Sequence, residues 1–156
     1  MAPDIAFFLA PDDRSAAVAR VRNLDRFASV TGEWFSAPCA VEEWDLYFLG
    51  PLPDPPRRRL AFWRRQEPST PAALRWIVPL AHDGTGVFAL PPRLTRSLAG
   101  ASPEELEELA ARWAERLRSE DGDEMTKDDV PALVRAVAQL AETAVATGGN
   151  LYCFFY

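Results

Sequence analysis

Two carboxylates two residues apart, Glu43 and Asp45, stand among aromatic residues in VEEWDLYF, residues 41–48. Alternation of polar and apolar residues predicts a strand here, with Trp44, Leu46 and Phe48 on one face and Glu43, Asp45 and Tyr47 on the other. Strand rise puts side chains at that spacing roughly 6 to 7 Å apart. Two carboxylates so separated could flank a substrate, one as acid and one as base. The competing expectation is structural. RRRLAFWRR (57–65) also alternates and is crowded with arginine, and GPLPDPP (50–56) could join it to the first strand as a hairpin. Glu42 and Glu43 would then lie near Arg64 and Arg65, pairs that stabilise a sheet by roughly 0.2 to 1 kcal/mol. Carboxylates beside arginines stay ionised at neutral pH and leave such a pair without a proton donor. The charge-paired hairpin is the favoured expectation.

His82 is the single histidine. A two-histidine metal site is therefore excluded, and any Ser-His-Asp or Cys-His arrangement must run through this residue. Imidazole is the natural base near neutral pH. Its setting, HDGTG (82–86), is turn chemistry, because Asp and Gly tolerate the backbone angles that a tight turn demands.

SEDGDEMTKDD (119–129) carries six acids in eleven residues. Hard cations bind several carboxylate oxygens from one loop, but the EF-hand order fails: Gly122 comes too early and no acid stands at the closing position. A solvated loop with helix caps is expected, and no metal. Neither GxGxxG nor GxxxxGK[ST] occurs, so the phosphate-cradling loops are absent and no cofactor is expected. Cys39 and Cys153 lie outside any CxxC and have no cationic neighbour in sequence to lower a thiol pKa. Both read as small core residues.

The elements that must position these groups follow from patterning. A chain of 156 residues, 48% hydrophobic and 26% charged, is an ordinary single domain spanning 1–156. Its net charge of −6 argues against nucleic acid, which needs a basic face. Asp4 stands where a signal peptide wants a positive charge, and no apolar run reaches the length of a membrane span. A cytoplasmic protein without membrane contact is expected, with its thiols reduced.

DIAFFLA (4–10) predicts a buried strand ended by Pro11, then a short helix capped by Asp12 or Asp13 with Ala17, Val18, Val21 and Leu24 near one face. LRWIVPL and VFAL (87–90) predict strands joined through HDGTG. PPRLTRSLAG predicts a helix with proline in its first turn and Gly100 at its end. SPEELEELAARWAERLRSE opens on a capping box, Ser102 with Glu105, and carries an apolar stripe of Leu106, Leu109, Ala110, Trp113 and Leu117. A further helix opens at Asp128 or Asp129, buries Leu133, Val134, Val137, Leu140 and Ala144, and ends at Gly148 and Gly149. LYCFFY (151–156) is apolar on both faces, as in the middle of a sheet covered on both sides. The class is α+β: a mixed or antiparallel sheet with three to four helices packed largely on one side and the C-terminal strand buried within it.

The order of GVFALPPRLTRSLAGASPEELEEL, a long helix and the terminal LYCFFY resembles the second half of the YfbM-like family, bacterial α+β proteins of unestablished function. The resemblance covers about the last seventy residues, implies the same fold class and carries no functional residues across.

Residues 102–129 hold eleven acids against four cations, a net −7 that leaves the remainder of the chain at +1. An acidic patch of this kind steers a domain onto a basic partner. The leading expectation is a protein-binding domain without catalysis, such as a toxin-neutralising immunity protein, with Glu107, Glu108, Asp121 and Asp123 in its contact surface. The alternative is a small-molecule enzyme or binder with an aromatic pocket and Glu43, Asp45 and His82 as its reactive groups.

Overall fold

A computed structural model describes residues 5–19, 21–33, 35–49, 74–120 and 129–155. The last strand of the chain is also its most central. β5 (Asn150–Phe155) lies between β1 (Ile5–Ala10) and β4 (Gly86–Ala89), with β2 (Ser29–Gly32) outside β1 and β3 (Arg75–Val78) outside β4. Every pairing is antiparallel. Phe7 stands opposite Cys153 and Phe8 opposite Tyr152, so β1 and β5 meet over their whole length.

Both faces of this sheet are covered, which is why LYCFFY needs no polar side. Ile5, Phe7, Phe88, Leu151 and Cys153 point into the larger core, with Phe155 packed at its margin. That core is closed by α2 (Ala37–Leu49), α3 (Pro92–Gly100), α4 (Pro103–Glu120) and α5 (Asp129–Thr147). Ala6, Phe8, Val87, Ala89, Tyr152 and Phe154 point the other way, under the short α1 (Asp13–Ala17) and a kinked 3-10 segment, Val21–Arg26. The fold is α+β, with its four longer helices on one face. Among the described residues of these segments, Ala16, Leu24 and Ala19, which links the two, are buried on the small face. Val18, expected among them, is exposed, because α1 ends before a second turn can carry it inward.

Local chemistry explains the helix ends. Ser102 Oγ accepts from the Glu105 N–H at 3.2 Å while Glu105 Oε2 accepts from the Ser102 N–H at 2.8 Å, the reciprocal capping box. Asp12 caps α1 by accepting from the Ser15 N–H at 2.8 Å. Gly148 ends α5 at φ +72°, a conformation that costs glycine nothing, and the Gly149 N–H returns to the Ala144 carbonyl.

The core is built around tryptophan. Trp44 is fully buried and packs 5.5 Å from Phe7 on the sheet and 5.1 Å, edge to face, from Trp113 on α4. Phe35 meets Trp113 in the same perpendicular way. Such pairs add about 0.5 to 1.5 kcal/mol each beyond the area they bury.

Residues 41–48 are helical, and the expected strand is overturned. They form the body of α2, with Ala37, Ala40, Val41 and Trp44 buried. Those positions recur at three and four residues, the helical period, and they begin upstream of the apparent alternation. Pro38 sits in the first turn, where proline is tolerated, and the Ser36 carbonyl accepts the first helical bond from the Ala40 N–H at 2.9 Å. Helical 41–48 cannot enter the expected hairpin, whose second arm, 57–65, lies outside the described residues. Among the described residues, no helix is long and apolar enough to cross a membrane.

Candidate functional site

On a helix, residues two apart point about 200° away from one another. Glu43 and Asp45 therefore face different neighbours, and the acid pair proposed for a strand does not exist. Asp45 turns inward, its side chain 3% exposed, and is gripped through both oxygens by Arg93 of α3: Nε to Oδ1 at 3.1 Å and Nη2 to Oδ2 at 2.7 Å. Such fork-to-fork pairing is the strongest geometry open to a carboxylate. Glu43 points to α4 and meets Arg116 Nε at 3.2 Å. Asp45 has its cation on α3 and Glu43 on α4; Arg64 and Arg65, expected beside Glu42 and Glu43, lie outside the described residues.

His82 lies exposed in the turn between β3 and β4. Asp83 builds that turn, accepting from the Thr85 N–H at 3.0 Å and from its hydroxyl at 2.7 Å, while Gly84 supplies φ +84°. No hydrogen bond or ion pair among the described residues joins His82 to Glu43 or Asp45. The turn role expected for it holds, and the three residues of the catalytic alternative are not brought together.

The acids of α4 form a more coherent surface. Glu104, Glu107, Glu108 and Glu115 are all exposed, and Glu104, Glu108 and Glu115 fall on one row of the helix at intervals of four and seven. Arg112 and Arg116 occupy the neighbouring row, toward α2. Arg112 holds Glu108 at 2.9 Å and lies 5.2 Å over the Tyr47 ring; Arg116 holds Glu43. The Tyr47 hydroxyl donates to Glu108 Oε2 at 3.3 Å. Burial, and then the Glu108 carboxylate, push the Tyr47 phenol above its ordinary pKa. Arg112 and Arg116 are thus turned to the α2 seam, and the outward face carries Glu104, Glu107 and Glu115 with Arg118 exposed in the last turn. Asp121 and Asp123, expected to continue the patch, lie outside the described residues.

A second polar cluster escaped the sequence. Tyr152 is fully buried, and its hydroxyl donates to Asp13 Oδ1 at 2.8 Å. Arg75 grips both oxygens of the same carboxylate. The hydrogen bonds from Arg75 and then Tyr152 hold Asp13 below the usual carboxylate range, and burial first, then Asp13, pushes Tyr152 up to about 12. A carboxylate this well solvated by donors is a poor base at neutral pH, and the phenol is a poor acid. The cluster clamps α1 across β5 and β3. Its signal was invisible because Asp13 and Tyr152 are separated by 139 positions.

Cys39, expected in the core, is exposed on the first turn of α2, whereas Cys153 is buried as expected. Among the described residues, no group of three or more His, Cys, Asp or Glu side chains is gathered as metal ligands would be.

Compared with family models, curated proteins and solved structures, the chain shows no match. The YfbM-like resemblance rests on element order in the second half alone.

Proposed function

We propose that the chain is an acidic protein-binding domain that docks a basic protein partner through the outward row of α4, as a toxin-neutralising immunity protein would. The observation that carries this reading is the excess of acids on the outward face of α4, where Glu104, Glu107 and Glu115 stand against one exposed cation, Arg118. Arg112 and Arg116 are consumed at the seam with α2, by Glu108 and Glu43, while Glu104, Glu107 and Glu115 face solvent. The helix dipole accounts for acids in the first turn, where Glu104 and Glu105 lie. Glu107 and Glu115 exceed what capping requires. The residues that follow α4 add Asp121, Asp123 and Glu124 in sequence, and the rest of the chain is nearly neutral.

Long-range steering of this kind weakens with salt, since the Debye length falls from about 10 Å at 0.1 M to about 3 Å at 1 M. The test is a pulldown from source-cell lysate at those two salt concentrations. It uses the wild-type protein, the double reversal Glu104→Lys/Glu107→Lys, and a second double reversal, Asp121→Lys/Asp123→Lys. A basic protein retained by the wild type at low salt, and lost both at high salt and in the reversals, supports the reading. A partner held equally by all three proteins at both salts refutes it.

A further inference from the structure

A cavity of about 490 Å³ opens at the end of the sheet where β1 leaves and β5 begins, between the segments of the small face and the end of α5. Its size falls within the ~300–1,000 Å³ of small-ligand sites. Leu9 and Phe27 line it, and Val18 stands at it with 60% of its surface uncovered. An exposed branched aliphatic side chain beside a concave apolar surface gains from any ligand that covers it.

Polar groups enter from two sides. Arg26, in the last turn of the 3-10 segment, lines the cavity and is exposed, and no carboxylate among the described residues pairs with it. Thr147 and Gly148 line the cavity from the C-terminal end of the 19-residue α5. The Thr147 hydroxyl donates to the Thr143 carbonyl at 2.8 Å, so it offers the cavity an acceptor. The end of a long helix carries partial negative charge. One pole of the cavity is therefore cationic, and the other repels anions.

We infer that this cavity binds a small monocarboxylate with an apolar body, its carboxylate on Arg26 and its hydrocarbon against Leu9, Val18 and Phe27. A dicarboxylate of equal length would carry its second charge toward the end of α5 and be rejected. The site shares no residue with the acidic row of α4, so it stands or falls independently of the proposed docking function.

The experiment is a titration of the ¹⁵N-labelled protein with hexanoate, adipate and hexan-1-ol, followed by amide chemical shifts. Hexanoate is expected to saturate at a Kd of about 1 mM, the range open to so few heavy atoms. Its shifts should be confined to the residues around Leu9, Val18, Arg26, Phe27 and Thr147. Adipate and the alcohol should each bind at least about tenfold more weakly, as should hexanoate to Arg26→Gln, since one charge-assisted hydrogen bond is worth that ratio. Val18→Glu, a change at an exposed position, should abolish hexanoate binding and leave distant amides unmoved. Shifts that fail to saturate, that fall elsewhere, that persist in Arg26→Gln, or that adipate reproduces at equal strength would overturn the inference.

Discussion

Arg93, near the start of α3, holds the buried Asp45 of α2 through two parallel hydrogen bonds of 3.1 and 2.7 Å. The two partners are unequally placed, with side chains 41% and 3% exposed. Removing Arg93 takes two charge-assisted hydrogen bonds from a carboxylate inside the fold, whereas removing Asp45 frees a guanidinium that can turn to water. Arg93→Ala should therefore cost about 3 kcal/mol, the scale of a broken buried pair, and Asp45→Asn only about 1 kcal/mol. Urea melts of both variants check the order. Equal losses would mean that the Asp45 carboxylate is satisfied without Arg93.

The seam between α2 and α4 should behave differently. Arg116 and Glu43 are 53% and 29% exposed, so their attraction is screened by water. A double-mutant cycle with Glu43→Ala and Arg116→Ala should give a coupling under about 1 kcal/mol. A coupling of several kcal/mol would return Glu43 to the list of buried functional groups.

Alkaline pH should loosen the small face. The Tyr152 phenol titrates at about 12 in the fold against an ordinary 10.0. A folded pKa above the unfolded one means that the protonated form is stabilised. The contribution is whole below about pH 10 and is lost as pH rises through about 12. Melting temperatures of the wild type should fall across that window. Tyr152→Phe, which has no such proton, should start lower at neutral pH and lack this part of the decline. A parallel decline in both proteins would place the alkaline sensitivity elsewhere.

The thiols should separate cleanly. Burial pushes the Cys153 thiol well above its ordinary value, and Cys39 is exposed. A thiol reagent should label Cys39 in the native protein and reach Cys153 only in denaturant. Rapid native labelling of Cys153 would show that β5 opens readily.

Deleting residues 151–156 should remove cooperative folding altogether. Leu151, Tyr152 and Phe154 are each buried by at least 96%, and β5 is hydrogen-bonded on both sides. Each large apolar side chain contributes roughly 1.5 to 3 kcal/mol, against a total stability of about 5 to 15 kcal/mol. A truncated protein that still melts cooperatively would contradict the central placement.

Patterns carried by neighbouring residues were legible in the sequence. The capping box at Ser102 and Glu105, the glycine end of α5, the HDGTG turn and the two-faced apolar run of β5 all express local physics. A cap, a positive φ and a side-chain period need no distant partner to define them. VEEWDLYF failed as a strand because eight residues fit both periods, and the decision lay upstream, in Ser36, Ala37, Pro38 and Ala40. Those residues start a helix and extend its buried stripe. Only the tertiary structure decided which charges meet. Asp45 and Arg93 are 48 positions apart, and Tyr152 and Asp13 are 139 apart. An ion pair depends on how helices and strands cross, and the order of residues along the chain carries no direct trace of that distance. The cavity at Arg26 arises in the same way, from the ends of four elements that meet only when the sheet closes around β5.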